Sequence, residues 1–152
     1  MQIVFFSSVA IITDDPAQSR AFFVEALGLP LAGQAGDDYV FSDKIDGSKH
    51  FGIWPLAQAA QMCFGTPAWP ADRKVPQVSI EFDVESEHAV AEAANELEGR
   101  GYALLHPSRT EPWGQTVARL QTVEGAIVGI SYVPSMHRAW TAAGRPGVFV
   151  VG

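Results

Sequence analysis

The sequence predicts an α+β fold in which one unit, a strand, a helix and a hairpin, occurs twice in tandem, and two observations carry that expectation. The first is a repeated hairpin. Residues 39–55 (YVFSDKIDGSKHFGIWP) and 111–134 (EPWGQTVARLQTVEGAIVGISYVP) each run through an apolar-rich stretch to an acidic glycine turn, Asp46-Gly47 and Glu124-Gly125, and leave by a run holding one glycine among large residues, Gly52 and Gly129. The second is that a strand and a helix precede each hairpin, in SVAIITDDPAQSRAFFVEALGLP and in VSIEFDVESEHAVAEAANELEGRGY. The expected organisation is a first unit over 3–60, a linker over 61–76, a second unit over 77–134 and a tail over 135–152.

In chain order, alternation over 8–13 places Val9 and Ile11 on one face of a strand and Ser8, Ala10 and Ile12 on the other. Asp14 or Asp15 can cap the helix that follows, Pro16 suits its first turn and Gly28 can end it, so a helix is expected over 16–27 with Phe22, Phe23, Ala26 and Leu27 on its packing face. A short strand and loop fill 29–37, ahead of the first hairpin. In 56–76 a helical turn gives way to a segment with Pro67, Pro70 and Pro76, and Met62, Phe64 and Trp69 within it either cover the core, the favoured reading, or edge a pocket. Val78, Ile80, Phe82 and Val84 then alternate with Ser79, Glu81 and Asp83, one greasy face against one acidic face. Ser86 caps the second helix, in which Val90, Ala93, Ala94 and Leu97 form the buried stripe, Gly101 closes it and His88 faces solvent. A strand over 102–105 ends at His106-Pro107, with His106 in solvent. The tail has no clear period, and its residues 148–151 read as an edge strand, a contact to a partner subunit or a frayed end.

Composition narrows the function classes. Ten Lys and Arg against seventeen Asp and Glu give a net charge of −7, which argues against a nucleic-acid surface and reads first as plain solubility, while being compatible with a cationic ligand. No apolar run approaches the ~20 residues of a membrane span, and the start has no basic head, so a cytoplasmic protein without membrane contact is expected. The single Cys63 cannot form an internal disulfide and reads as a small packed side chain.

The phrases VAIITDDPAQSRAFFVEALGLPL and EPWGQTVARLQTVEGAIVGISY, in this order, resemble the vicinal oxygen chelate superfamily, which includes glyoxalase I, extradiol dioxygenases and bleomycin resistance proteins. The resemblance implies a glyoxalase-like fold in which two βαβββ modules curl into an open cupped barrel around the site. Its metal-dependent members carry a His or similar ligand on the first strand of each module and a Glu on the last. The matching positions here are Ser8, Gly52, Ser79 and Gly129, none of them a His or a carboxylate. The resemblance therefore implies the metal-free branch, with no cofactor, typified by bleomycin resistance proteins that sequester an antibiotic as a homodimer. Those proteins carry a phrase similar to Pro112-Trp113-Gly114.

Strand parity places Gln77, Ser79, Glu81 and Asp83 on the face of the vacated positions, with His50, Gly52 and Trp54 in one half and Ile127, Gly129 and Ser131 in the other. The expected ligand-binding residues are Ser8, Gly52, Trp54, Ser79, Glu81, Trp113, Gly129 and Ser131, holding an aromatic or cationic small molecule. The two glycines leave room, Trp54 and Trp113 can stack on the ligand, and Glu81 can pair with a positive group. The alternative is a glyoxalase- or dioxygenase-type enzyme using His50 and Glu81 for acid–base catalysis, with Glu81 or Asp83 orienting the imidazole. A metal held by His50, His106 and a carboxylate is the remaining, disfavoured option.

Overall fold

A computed structural model describes residues 1–142, so the stretch 148–151 lies outside the described residues. Strand β1 (Phe5–Thr13) is followed by α1 (Pro16–Arg20), whose first turn is held by the Asp15 carboxylate accepting from the Gln18 N–H at 3.0 Å. The helix then widens into π form over Ala21–Ala26, with the Leu27 N–H reaching back to the Phe22 carbonyl at 2.9 Å. This widening corrects the expected packing face. The 3.6-residue phase is lost, so Phe23 packs on Leu31, Val40 and Ile53, whereas Phe22 and Leu27 are exposed.

Strands β2 (Val40–Ser42) and β3 (Phe51–Pro55) form the first hairpin, and the strand expected over 29–37 shrinks to a single bridge between Ala32 and Phe41. The expected helical turn at the start of 56–76 is a full helix, α2 (Leu56–Phe64), ended by Gly65 in the left-handed region at φ 76°. Strand β4 (Val78–Asp83) and α3 (Glu87–Gly99) follow, the Ser86 hydroxyl accepting from the Ala89 N–H at 3.1 Å as a helix cap. Strand β5 runs over Leu104–Thr110, passing through His106 and Pro107 instead of stopping before them. A proline needs no ladder partner on an edge strand, and β5 is one; its register with β6 (Thr116–Gln121) breaks on both sides of His106. Strand β7 (Ile127–Tyr132) and α4 (Pro134–Ala142) complete the described chain, α4 lying where no period was legible.

All seven strands join one sheet in the order β2-β3-β1-β4-β7-β6-β5. Its centre is the antiparallel β1 and β4 pair, which links the two halves within one chain, and each of these strands pairs in parallel with the last strand of its own half. The sheet curls without closing. On its outer face α3 buries Val90, Ala93 and Ala94 against Val84, Ala118 and Ile130, where each fully buried Val or Ile stabilises by about 1.5–3 kcal/mol. On the concave face α2 covers one end, burying Ala59 and Cys63 against Ile12 and Ile127, with Trp54 and Trp69 packed beside them. At the other end α4 is tied down by His137, whose Nε2 lies 3.1 Å from Asp83 Oδ2. The stretch of concave face between the two helices is where polar side chains gather. Among the described residues no helix is long and apolar enough to cross a membrane.

Candidate ligand site on the concave face

Glu81 is the hub of the second half. It lies beside Ser8 across the β1 and β4 pair and beside Gly129 across the β4 and β7 pair. Its Oε2 accepts from Gln115 Nε2 at 2.7 Å and from Ser8 Oγ at 3.3 Å, and its Oε1 faces Arg119 Nη2 at 3.5 Å. Arg119 stands opposite Gly129 on β6 and is only 1% exposed. Its Nη1 donates to Glu111 Oε1 at 3.0 Å and to His106 Nε2 at 3.3 Å, and its guanidinium sits 5.5 Å from the Trp54 ring centroid. Arg109 adds a second cation, its Nε 3.2 Å from Glu111 Oε1. Two guanidinium groups thus face two carboxylates, so the charge of Glu81 is already answered inside the chain. Desolvating such a network offsets most of its Coulomb gain, so it orders the floor of the cup more than it stabilises the fold.

His106 is buried, which corrects the solvent-facing expectation: its strand continues past Pro107 and turns the ring inward. A carbonyl only accepts, so the 2.8 Å contact from Nδ1 to the Pro107 oxygen puts the proton on Nδ1 and leaves Nε2 to accept from Arg119. Burial above all, with Arg119 and Arg109 nearby, pulls its pKa down to about 4, against a smaller opposing effect of the Pro107 hydrogen bond and Glu111.

The first half contributes a different arrangement. Tyr39 Oη lies 2.6 Å from His50 Nε2, and His50 Nδ1 lies 2.6 Å from Asp43 Oδ1. The carboxylate accepts from Nδ1–H, so Nε2 accepts the tyrosine proton. The orienting partner of His50 is therefore Asp43, on the turn of its own hairpin, and neither Glu81 nor Asp83 as expected. Burial, then the charges of Glu81, Asp43 and Asp37, push the Tyr39 phenol above its usual range and keep it protonated. Phe41 stacks on His50 at 4.9 Å between ring centroids and on Tyr39 at 5.6 Å, and it remains 38% exposed. These three rings form an aromatic wall facing the cup.

The other expected residues fall into place around these two clusters. Gly52 and Gly129 leave less room than expected, because neighbouring side chains lean over them. A Cβ at Gly129 would meet Glu81 Cγ at 2.9 Å, and one at Gly52 would meet Tyr39 Oη at 2.9 Å. Ser79 is buried opposite Ala10 and Ile127. Ser131 is fully buried and donates to Asp83 Oδ1, which removes it from any ligand-facing set. Trp54 is half-buried against α2. Trp113 sits 58% exposed on the turn before β6, its Nε1 donating to Gln115 Oε1 at 2.9 Å and so reaching Glu81 through that amide. Sequence reasoning missed Arg119, Glu111, Gln115, Tyr39 and Asp43. A legible signal existed for Arg119, a charged residue between Ala118 and Leu120 in a strand that is otherwise mostly buried.

A family model for the Glyoxalase/Bleomycin resistance protein/Dioxygenase superfamily matches residues 6–129. The chain belongs to this superfamily. Similar solved structures include a member of the same superfamily from Vibrio splendidus 12B01, 18% identical over 84% of this chain and 98% of that one, with a TM-score of 0.52. The Mn(II)-bound glyoxalase from Novosphingobium aromaticivorans is 17% identical over 85% of this chain and 38% of that one, TM-score 0.55. Methylmalonyl-CoA epimerase from Mycobacterium tuberculosis is 14% identical over 90% of this chain and 93% of that one, TM-score 0.56. These likenesses establish the glyoxalase-like α+β fold and nothing finer. No curated protein matches the chain by sequence.

The superfamily implies a divalent metal in many members, and the residues here do not fit it. Of Ser8, Gly52, Ser79 and Gly129, two have no side chain and two offer only a neutral hydroxyl, a weak donor to such ions. Glu81, the carboxylate beside Gly129, faces a guanidinium. Among the described residues no three His, Cys, Asp or Glu side chains converge as an ion requires.

Proposed function

We propose that this superfamily member is a metal-free small-molecule binding protein that holds a planar aromatic ligand on its concave face. The observation that carries this reading is the aromatic wall of Tyr39, Phe41 and His50, in which Phe41, paired with Gly52 across the β2 and β3 hairpin, stays 38% exposed. Stacking a planar ring there adds about 0.5–1.5 kcal/mol to the burial of its apolar area. A cation finds less: Glu81 already faces Arg119 and accepts from Gln115 and Ser8. Titrating the protein with a panel of planar aromatic and cationic compounds, followed calorimetrically, is expected to find micromolar binding confined to the aromatic set. Phe41→Ala is expected to weaken it about tenfold, the equivalent of 1.4 kcal/mol. Silence across the panel, or undiminished binding by Phe41→Ala, would remove the reading.

A second reading, acid–base catalysis on a bound substrate, is favoured by the Asp43, His50 and Tyr39 chain of hydrogen bonds. Tyr39 oxygen would take a proton from the substrate as its own proton passes to His50 Nε2, and the imidazolium so formed would face Asp43. Asp43, with its side chain 57% exposed, connects this chain to solvent. Glu81, engaged by three donors, is the poorer base of the two residues first considered. If the chain moves protons, exchange of acidic C–H groups of carbonyl compounds with deuterated water, read by NMR, should slow about 10²- to 10⁴-fold in Tyr39→Phe and His50→Gln. Equal exchange rates in wild type and both variants would dismiss this role.

A further inference from the structure

Arg119 is enclosed by a set of donors that differs from the four family positions. Glu81 Oε1 is 3.5 Å from its Nη2, while Glu111 Oε1 and His106 Nε2 are 3.0 and 3.3 Å from its Nη1. The first residue is on β4, the second on the turn after β5, the third within β5. Two carboxylates and one imidazole are also what divalent ions such as zinc and manganese take from proteins. The imidazole is presented in the manner of a metal ligand: Nδ1–H is fixed on a backbone carbonyl, and the Nε2 lone pair points at the cation. The difference is spacing. The three groups are spread over two nitrogens of a planar guanidinium, so they do not close on one point, which is why no metal cluster is formed among the described residues.

We propose that Arg119 is the resident cation of this site and that Glu81, Glu111 and His106 are a latent divalent-metal donor set which its guanidinium keeps closed. The proposal rests on the metal-free reading above and says what replaces the ion. Charge supports it. With Arg119 gone, buried Glu111 would keep only Arg109, whose side chain is 40% exposed, half-buried Glu81 would lose the cation it faces, and the site would carry an uncompensated negative charge. A small divalent ion more than offsets that charge and would draw the donors inward. A lysine does neither fully but keeps a positive charge in place, so it should keep metal out.

The experiment compares wild type, Arg119→Lys and Arg119→Ala by elemental analysis after zinc loading and by the visible spectrum with Co²⁺. Wild type and Arg119→Lys are expected to retain far less than one equivalent of zinc. Arg119→Ala is expected to bind one equivalent, to give a Co²⁺ absorption band and to melt at a higher temperature with zinc than with chelator. Adding His106→Gln or Glu111→Gln to Arg119→Ala should weaken zinc binding about tenfold or more. A folded Arg119→Ala that takes up no zinc overturns the proposal while leaving the metal-free reading intact. Stoichiometric zinc in wild type that is lost on changing Glu81, Glu111 or His106 overturns both. If Arg119→Ala does not fold alone, refolding with zinc decides: recovery that needs His106 supports the donor set, and failure to recover with zinc rejects it.

Discussion

Asp83→Ala is expected to remove about 3–5 kcal/mol of stability, the range for uncoupling a buried charged network. Asp83 is fully buried, and its carboxylate gathers three donors from the end of β7 and the start of α4: the Ser131 hydroxyl, the Val133 N–H at 2.8 Å and His137 Nε2 at 3.1 Å. Alanine leaves both the fully buried Ser131 hydroxyl and the Val133 N–H without this acceptor and cuts the polar tie between α4 and the sheet. His137 is also wedged between the Phe5 and Tyr132 rings, with centroids at 4.8 and 4.6 Å, so loosening it disturbs the packing at this end of the cup. Urea unfolding should show a much lower midpoint with an unchanged slope, and thermal unfolding a drop of roughly 10 °C at about 2–4 °C per kcal/mol. Asp83→Asn, which keeps the size and one acceptor, should lose less. A loss below about 1 kcal/mol in Asp83→Ala would mean that Asp83 is not the clasp of α4.

The second large effect is pH dependence centred on His106. Its pKa in the folded chain is about 4, against an ordinary value of 6.5. Between these values the unfolded chain binds a proton there and the folded chain does not. Stability is therefore complete above pH 6.5, falls as pH drops from 6.5 toward 4, and levels off below 4 once the folded imidazole is protonated too. At 1.36 kcal/mol per pKa unit the fall amounts to about 3 kcal/mol. Other groups also titrate in this window, so the measurement is the difference between wild type and His106→Gln, a variant that cannot take the proton. The wild-type curve should be steeper from pH 6.5 to 4 by about that amount. Parallel curves would show that His106 is not held neutral by its surroundings.

The fold was legible where side-chain period and local punctuation suffice. The alternation of β4, the Val90, Ala93 and Ala94 stripe of α3, the Ser86 cap and the two glycine turns depend on neighbours a few residues away, and each appears in the structure. Where a local rule needed tertiary knowledge it misled. Pro107 looked like a strand end because the sequence does not say that β5 is an edge strand. Phe22 and Leu27 looked buried because the π turns that rephase the helix leave no mark in the residue pattern. Helix α4 was missed for a related reason: it is held by a contact from His137 to Asp83, 54 positions earlier.

The candidate site divides along the same line. Residue types and parity alone determined which face Ser8, Gly52, Glu81 and Gly129 share, and the family resemblance added that the four positions it marks hold no strong metal donor. Only the tertiary structure decided what fills those positions. Tyr39 leans over Gly52 and Glu81 over Gly129, Arg119 is caged by Glu81, Glu111 and His106, and His50 turns to Asp43 and away from Glu81. The physical reason is that strand period fixes the side of the sheet a residue occupies, whereas its partner depends on register between strands and on side-chain length. Arg119 meets Gly129 and Glu81 only because β4, β7 and β6 lie side by side in that order, which no local pattern encodes.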